Sequence, residues 1–217
     1  MVKVTDDHKT YYKIVVWGPA ASGKTTAIDT LYMICTNSEK GKDIVPIGDI
    51  TKIAMESGAT LVFDRGVFQS KVQNDKYFHI YTVAGQVRFS PLRKKVFTGA
   101  DAVIFVADAE LERLDDNSQS LKELIGIVRD ENLRPIPILF MLNKWDLQET
   151  ITLETWAETV YDCGLSFEPS SPLKLLNPLG YATIATFENK QNIYRSFIQM
   201  VNHFLVSEQE VEVEKSK

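Results

Sequence analysis

The chain has 217 residues, with 24 Lys and Arg against 29 Asp and Glu for a net charge of -5; 44% of it is hydrophobic and 24% charged. That length suits one domain with a proper core, the apolar fraction excludes a disordered chain, and mild acidity of mixed sign excludes a nucleic-acid footprint. Two cysteines far apart, Cys35 and Cys163, exclude a disulfide framework and a cysteine-based zinc site, and they suit a reducing, cytoplasmic setting. The longest apolar runs fall well short of the ~20 residues of a membrane helix. The polar N-terminus has no signal-peptide core, Gly does not follow Met1, and no Cys lies near the C-terminus, so neither a span nor a lipid anchor is expected.

The pattern alternates strands and helices. Residues 12–17 (YKIVVW) form a short β-branched run that ends at Gly18, and 24–35 is helix-compatible without Gly or Pro. The stretch 41–58 holds IVPIGDI and predicts an extra edge strand with a loop. Further strand runs follow at 60–64 (TLVFD), 77–83 (YFHIYTV), 102–108 (AVIFVAD), 136–142 (IPILFML) and 181–186 (YATIAT). The first two of these are joined without an obvious helix, which predicts an antiparallel hairpin. Helices are predicted over 117–131, 153–162 and 189–206, and a long proline-bearing connection over 166–180. The fold class is therefore α/β: six strands, mostly parallel with one antiparallel, and helices on both faces. The domain is expected to span 1–206, with 207–217 a frayed, acidic C-terminal tail.

Residues 18–25 read GPAASGKT, the pattern G-x-x-x-x-G-K-[ST], placed after an apolar strand and before a helix as that motif demands. Gly18 and Gly23 let the backbone wrap a phosphate with its N–H groups turned inward at a positive helix terminus. Ala21 and Ser22 keep the loop tight, Lys24 reaches the β- and γ-phosphates, Thr25 can ligate Mg²⁺, and Thr26 is an α-phosphate candidate. A phosphate loop does not name the base. Asn143, Lys144 and Asp146 (NKWD) follow the run ILFML at a strand end, where open α/β sheets bind ligands. A carboxylate at Asp146 accepts from guanine N1–H and its exocyclic amine together; adenine offers no such donor pair. The chain is thus read as a guanine-nucleotide protein.

The phosphate loop, TVAGQ at 82–86 and NKWD together resemble the Ras-like small GTPase superfamily. Within it the likeness is greatest to the MglA-type GTPases of prokaryotes, on YFHIYTVAGQVRFSPLRKKVFTGADAVIFVADAE at 77–110. The resemblance covers about residues 11–206. It implies GTP and GDP binding, Mg²⁺ dependence, slow hydrolysis of GTP, switching between the two states, and regulators of roadblock type. Carried over residue by residue, it makes Gly85 the glycine whose N–H meets the γ-phosphate and Gln86 the residue that orients the attacking water. Thr60 matches the threonine that closes over Mg²⁺ and the γ-phosphate. Ala185 matches the residue that offers a backbone N–H to the guanine carbonyl.

Two departures from the pattern stand out. Thr82 occupies the place of an Asp that holds a water on Mg²⁺, with Asp64 or Asp108 as possible stand-ins. Ala59 stands where MglA-type relatives tend to carry an arginine, so intrinsic hydrolysis is expected to be slow, with Arg65, Arg88 or Arg93 as substitutes to be tested. His79 reads as a structural imidazole. The alternatives are a guanine-nucleotide scaffold that does not turn over and a P-loop kinase, which would need an arginine-rich lid that the sequence lacks.

Overall fold

A computed structural model describes residues 2–5, 8–37, 43–54, 62–85, 90–130, 136–166 and 177–215. Its sheet carries the strands β1 (Lys3–Val4), β2 (Thr10–Trp17), β3 (Ile44–Pro46), β4 (Thr51–Ala54), β5 (Val62–Ser70), β6 (Lys76–Thr82), β7 (Ala102–Asp108), β8 (Ile138–Asn143), β9 (Leu179–Ala185) and β10 (Lys190–Gln191). The helices are α1 (Lys24–Asn37), α2 (Ser90–Phe97), α3 (Leu114–Asp130), α4 (Leu153–Asp162) and α5 (Ile193–Lys215). The strand order is β10-β9-β8-β7-β2-β6-β5-β3, with β1 on β2 and β4 on β5.

The six long strands of this order are those predicted, and β2, β6, β7, β8 and β9 run parallel. β5 and β6 form the expected antiparallel hairpin, with Val67 opposite His79. Four short strands are added, each antiparallel to its neighbour. β3 and β4 come from the stretch expected to supply an edge strand, and they pair with successive parts of β5, so that stretch makes a split edge. β5 also runs on past Asp64 to Ser70. Its Arg, Gly, Gln and Ser hide a strand whose inward Phe68 is fully buried.

Side-chain alternation divides the core between the two faces. Ile14 and Val16 of β2 join Ile28, Leu31, Phe197 and Val201 of α1 and α5 on one face. Val15 and Trp17 join Leu121, Leu124 and Trp156 of α3 and α4 on the other. β7 lies in the middle of the sheet, and all seven of its residues are buried. That is why its sequence reads as an unbroken apolar run ending in one acid.

Helix ends depart from expectation where local chemistry decides them. α3 begins at Leu114 after a 3-10 turn over Leu111–Arg113, and Asp115 and Asp116 stand in its first turn, favourable to the helix dipole. α5 starts late because Lys190–Gln191 hairpins onto β9 and Asn192 turns through a left-handed φ of 56°. It then continues to Lys215 across the segment expected to fray, where Glu, Gln and Lys favour a helix and neither Gly nor Pro interrupts it. α2 was not foreseen. His79 is structural as expected: its ring sits edge-on to Tyr11 and Tyr81, and burial with the charges of Arg65 and Lys3 lowers its pKa to about 4.

Candidate nucleotide site

All five parallel strands present their C-terminal ends to one edge of the sheet, and the loops that leave them there build the site. The loop leaving β2 curls through φ +146° at Gly18, 63° at Ala21 and +92° at Gly23. A Cβ on Gly18 would stand 2.1 Å from the Val106 carbonyl oxygen, and one on Gly23 would stand 2.3 Å from Asn143 Nδ2, so both positions require glycine. Ser22 is fully buried, and its Oγ has no hydrogen-bond partner among the described residues. Lys24 opens α1 with only 7% exposure. Its Nζ donates to the carbonyls of Gly18, at 3.0 Å, and Pro19, and it makes no ion pair among the described residues. Burial first, then the charge of Arg93, lowers its pKa to about 7. An ammonium so held lacks a counter-charge, which an anion in the loop would supply. Thr25 is exposed and Thr26 half-buried on the same first turn.

The base end is built differently. Asn143 closes β8; its Nδ2 donates to Ser22 O at 3.0 Å, while its Oδ1 accepts from Ala185 N at 3.0 Å and Thr183 Oγ1 at 3.4 Å. One amide thus ties the phosphate loop to β8 and β9. The N–H of Ala185, assigned from sequence to the guanine carbonyl, is taken by Asn143, because the neighbouring parallel strand brings that N–H to the amide oxygen. Lys144 has a left-handed φ of 68°, and its Nζ donates to Asp108 Oδ2 and Glu110 Oε1, each at 2.6 Å. Burial pulls its pKa down, but bonds to the two carboxylates outweigh that and raise it. Asp146 is exposed, and its carboxylate has no partner among the described residues.

Asp108 therefore serves Lys144. It is fully buried rather than in solvent, and Asn117 clasps its backbone by accepting from its N–H at 2.8 Å and donating to its carbonyl at 2.7 Å. Arg113 stands 3.9 Å from the same carboxylate. Sequence reading missed Glu110 and Arg113; the acids at 108 and 110 beside a strand end were the available signal.

β6 delivers Gly85 to the phosphate loop. A Cβ there would meet Ala20 N at 2.3 Å and the Pro19 carbonyl carbon at 2.4 Å, so the two backbones touch. Thr82, in the place of the metal-facing Asp, is buried. Thr60, Gln86, Ala59 and Arg88 lie outside the described residues, as does the side chain of Asp64. Arg93 is no candidate for a free catalytic arginine: it is 2% exposed, donates to Gly85 O at 3.0 Å, pairs with Glu123, and stacks over Trp17 at 5.4 Å. Arg65 lies beside His79 and over the Tyr81 ring.

A sequence model of the ADP-ribosylation factor family matches residues 1–166 of this chain. The chain belongs to that family of small GTPases. The small GTPase is 35% identical over 146 residues to the mutual gliding-motility protein MglA of Myxococcus xanthus, covering 65% of this chain and 71% of MglA. It is 26% identical over 147 residues to the ADP-ribosylation factor-like protein 3 of Saccharomyces cerevisiae, covering 67% of this chain and 66% of the yeast protein. A mouse Ras and EF-hand domain-containing protein homolog is 29% identical over 143 residues, but the match spans only 20% of its length. Family membership makes the chain a GTP-binding switch protein with GTP hydrolysis as its general activity.

The residues fit a magnesium nucleotide. Among the described residues Lys24 lacks an anion and Ser22 Oγ lacks a partner, and Thr25 presents a hydroxyl at a helix N-terminus. No cluster of three or more His, Cys, Asp or Glu side chains suited to a metal exists among the described residues. Hydroxyl, phosphate and water oxygens are ligands of the kind Mg²⁺ takes. No described helix is long and apolar enough to cross a membrane.

Proposed function

We propose that this small GTPase is a slow GTP hydrolase, working in the cytoplasm, whose GTP and GDP states control partner proteins, among them regulators of roadblock type. The G domain spans 1–206. The observation that carries this reading is the buried Lys24, which among the described residues has only loop carbonyls to hold its charge, at the mouth of a loop that Gly85 touches. Gly18, Ala21, Ser22, Gly23, Lys24, Thr25 and Thr26 hold the phosphates, and Asp146 reads the guanine edge. Asn143 and Lys144 fix the two loops from which these act. Mg²⁺, on Thr25 and Thr60, would draw charge from the phosphate oxygens. Gln86 orients the water that attacks the γ-phosphorus, and Gly85 N–H steadies the departing phosphoryl group. Binding and loss of the γ-phosphate then moves the segments around Thr60 and Gln86.

Single-turnover hydrolysis of radiolabelled GTP with Mg²⁺, beside an ATP control and Gln86→Ala, tests the reading. Slow cleavage of GTP alone, reduced in the variant, is the expected outcome. Tight GTP binding without cleavage would favour the scaffold to which Ala59 and Thr82 point, and equal use of ATP would remove the role of Asp146.

A further inference from the structure

Among the described residues, Arg113 is the one arginine that hydrogen-bonds to the phosphate loop. It comes from the 3-10 turn after β7, and its Nη2 donates to Ala20 O at 3.0 Å. Gly85 meets the backbone of the same two loop residues, Pro19 and Ala20. The guanidinium and the switch glycine therefore converge on one short piece of backbone. The Arg113 side chain is 34% exposed; it pairs at 2.6 Å with Asp116, itself 43% exposed, and Asp108 is 3.9 Å away. An ion pair that exposed holds a side chain weakly. Arg93, by contrast, is sealed between Glu123, Gly85 and Trp17.

We propose that Arg113 is a catalytic residue supplied in cis, turning from the Ala20 carbonyl to the oxygens of bound GTP as hydrolysis proceeds. The inference rests on the GTPase reading above. In that reaction the water oxygen bonds to the γ-phosphorus while the bond from that phosphorus to the β–γ bridging oxygen breaks. The electron pair stays on GDP, and the water proton leaves with inorganic phosphate. Negative charge grows on the bridging oxygen and is shared with the γ-oxygens, and a forked guanidinium can meet two of these at once where an ammonium meets one. A chain that carries this cation itself needs less from an activating partner.

The test compares wild type, Arg113→Ala and Arg113→Lys in single-turnover GTP hydrolysis, in GDP affinity, and in binding of GDP with aluminium fluoride, a mimic of the transferring phosphoryl group. Both variants are expected to lose about 10³-fold in rate while GDP affinity changes less than about threefold. The aluminium fluoride complex is expected to form with wild type alone. Arg113→Ala hydrolysing at the wild-type rate would overturn the inference and leave the GTPase reading intact. So would equal losses of rate and GDP affinity, the signature of an arginine that only braces the loop. A wild type that binds GTP without cleaving it overturns both.

Discussion

Two lysines mark the two ends of the nucleotide site, and they are kept in opposite ways. Lys24 is buried on neutral carbonyls beside the positive Arg93, and its pKa falls to about 7. Lys144 is bound by two carboxylates, and its pKa rises. The protein has already balanced the charge at the base end, so Lys144 is a post that fixes a loop whether or not a ligand is present. At the phosphate end the balance is left to the ligand. The same residue type thus acts as scaffold in one place and as receptor in the other, and partners within the fold decide which.

Lys24→Met should break the comparison most completely. Removing the receptor cation is expected to cost on the order of 10³-fold in GDP affinity, the loss of a charge-assisted contact that is buried and aimed at phosphate. The same variant removes an uncompensated buried charge, so the nucleotide-free protein should melt at a higher temperature than wild type. Titration with a fluorescent GDP analogue and a thermal melt without nucleotide check both halves. A fall in melting temperature would mean that Lys24 is not strained in the absence of ligand.

Asp108→Asn sharpens the other side. The substitution keeps shape but leaves Lys144 with Glu110 alone, and Glu110 is 42% exposed. GDP affinity is expected to drop about 10-fold to 100-fold, well short of the Lys24 effect, because Lys144 keeps Glu110 and acts on the ligand only through its loop. The loss should show as faster GDP release, measured by chase with unlabelled nucleotide. Release at the wild-type rate would mean that Lys144 needs no post.

How much of this was legible beforehand follows from how local each feature is. Gly18, Gly23 and Lys24 lie within seven residues, and the physics that selects them acts along the chain, so sequence alone displayed them. NKWD was readable for the same reason. The parallel strands were readable as well, since buried parallel strands advertise themselves as apolar runs such as 102–108. The contact of Arg113 with Ala20 spans 93 residues, and no local pattern carries it. The part played by Asp108 was hidden likewise, since a strand-end acid reads as solvated until a lysine from the next strand is seen upon it. The bond from Ala185 N–H to the Asn143 amide was hidden too, since it depends on where that amide turns. The second half of β5 escaped because its buried Phe68 alternates with polar residues on an edge-proximal strand.

The smallest expected effect is a count of protons. With a folded pKa of about 7 against 10.5 in the unfolded chain, Lys24 binds fewer protons folded than unfolded between those values. Stability without nucleotide should therefore rise with pH across that window, while below about pH 7 the full cost of the buried charge is present and constant. Phosphate arriving beside Lys24 restores its proton, so binding GDP near pH 8.5 should take up close to one proton at this site, and near pH 6 almost none. Calorimetry in buffers of different ionisation heat measures this directly. Lys144, charged throughout by Asp108 and Glu110, contributes nothing to the count at either pH. An uptake that is the same at both pH values would mean that Lys24 keeps its charge without a ligand, and the contrast between the two lysines would then be one of place alone.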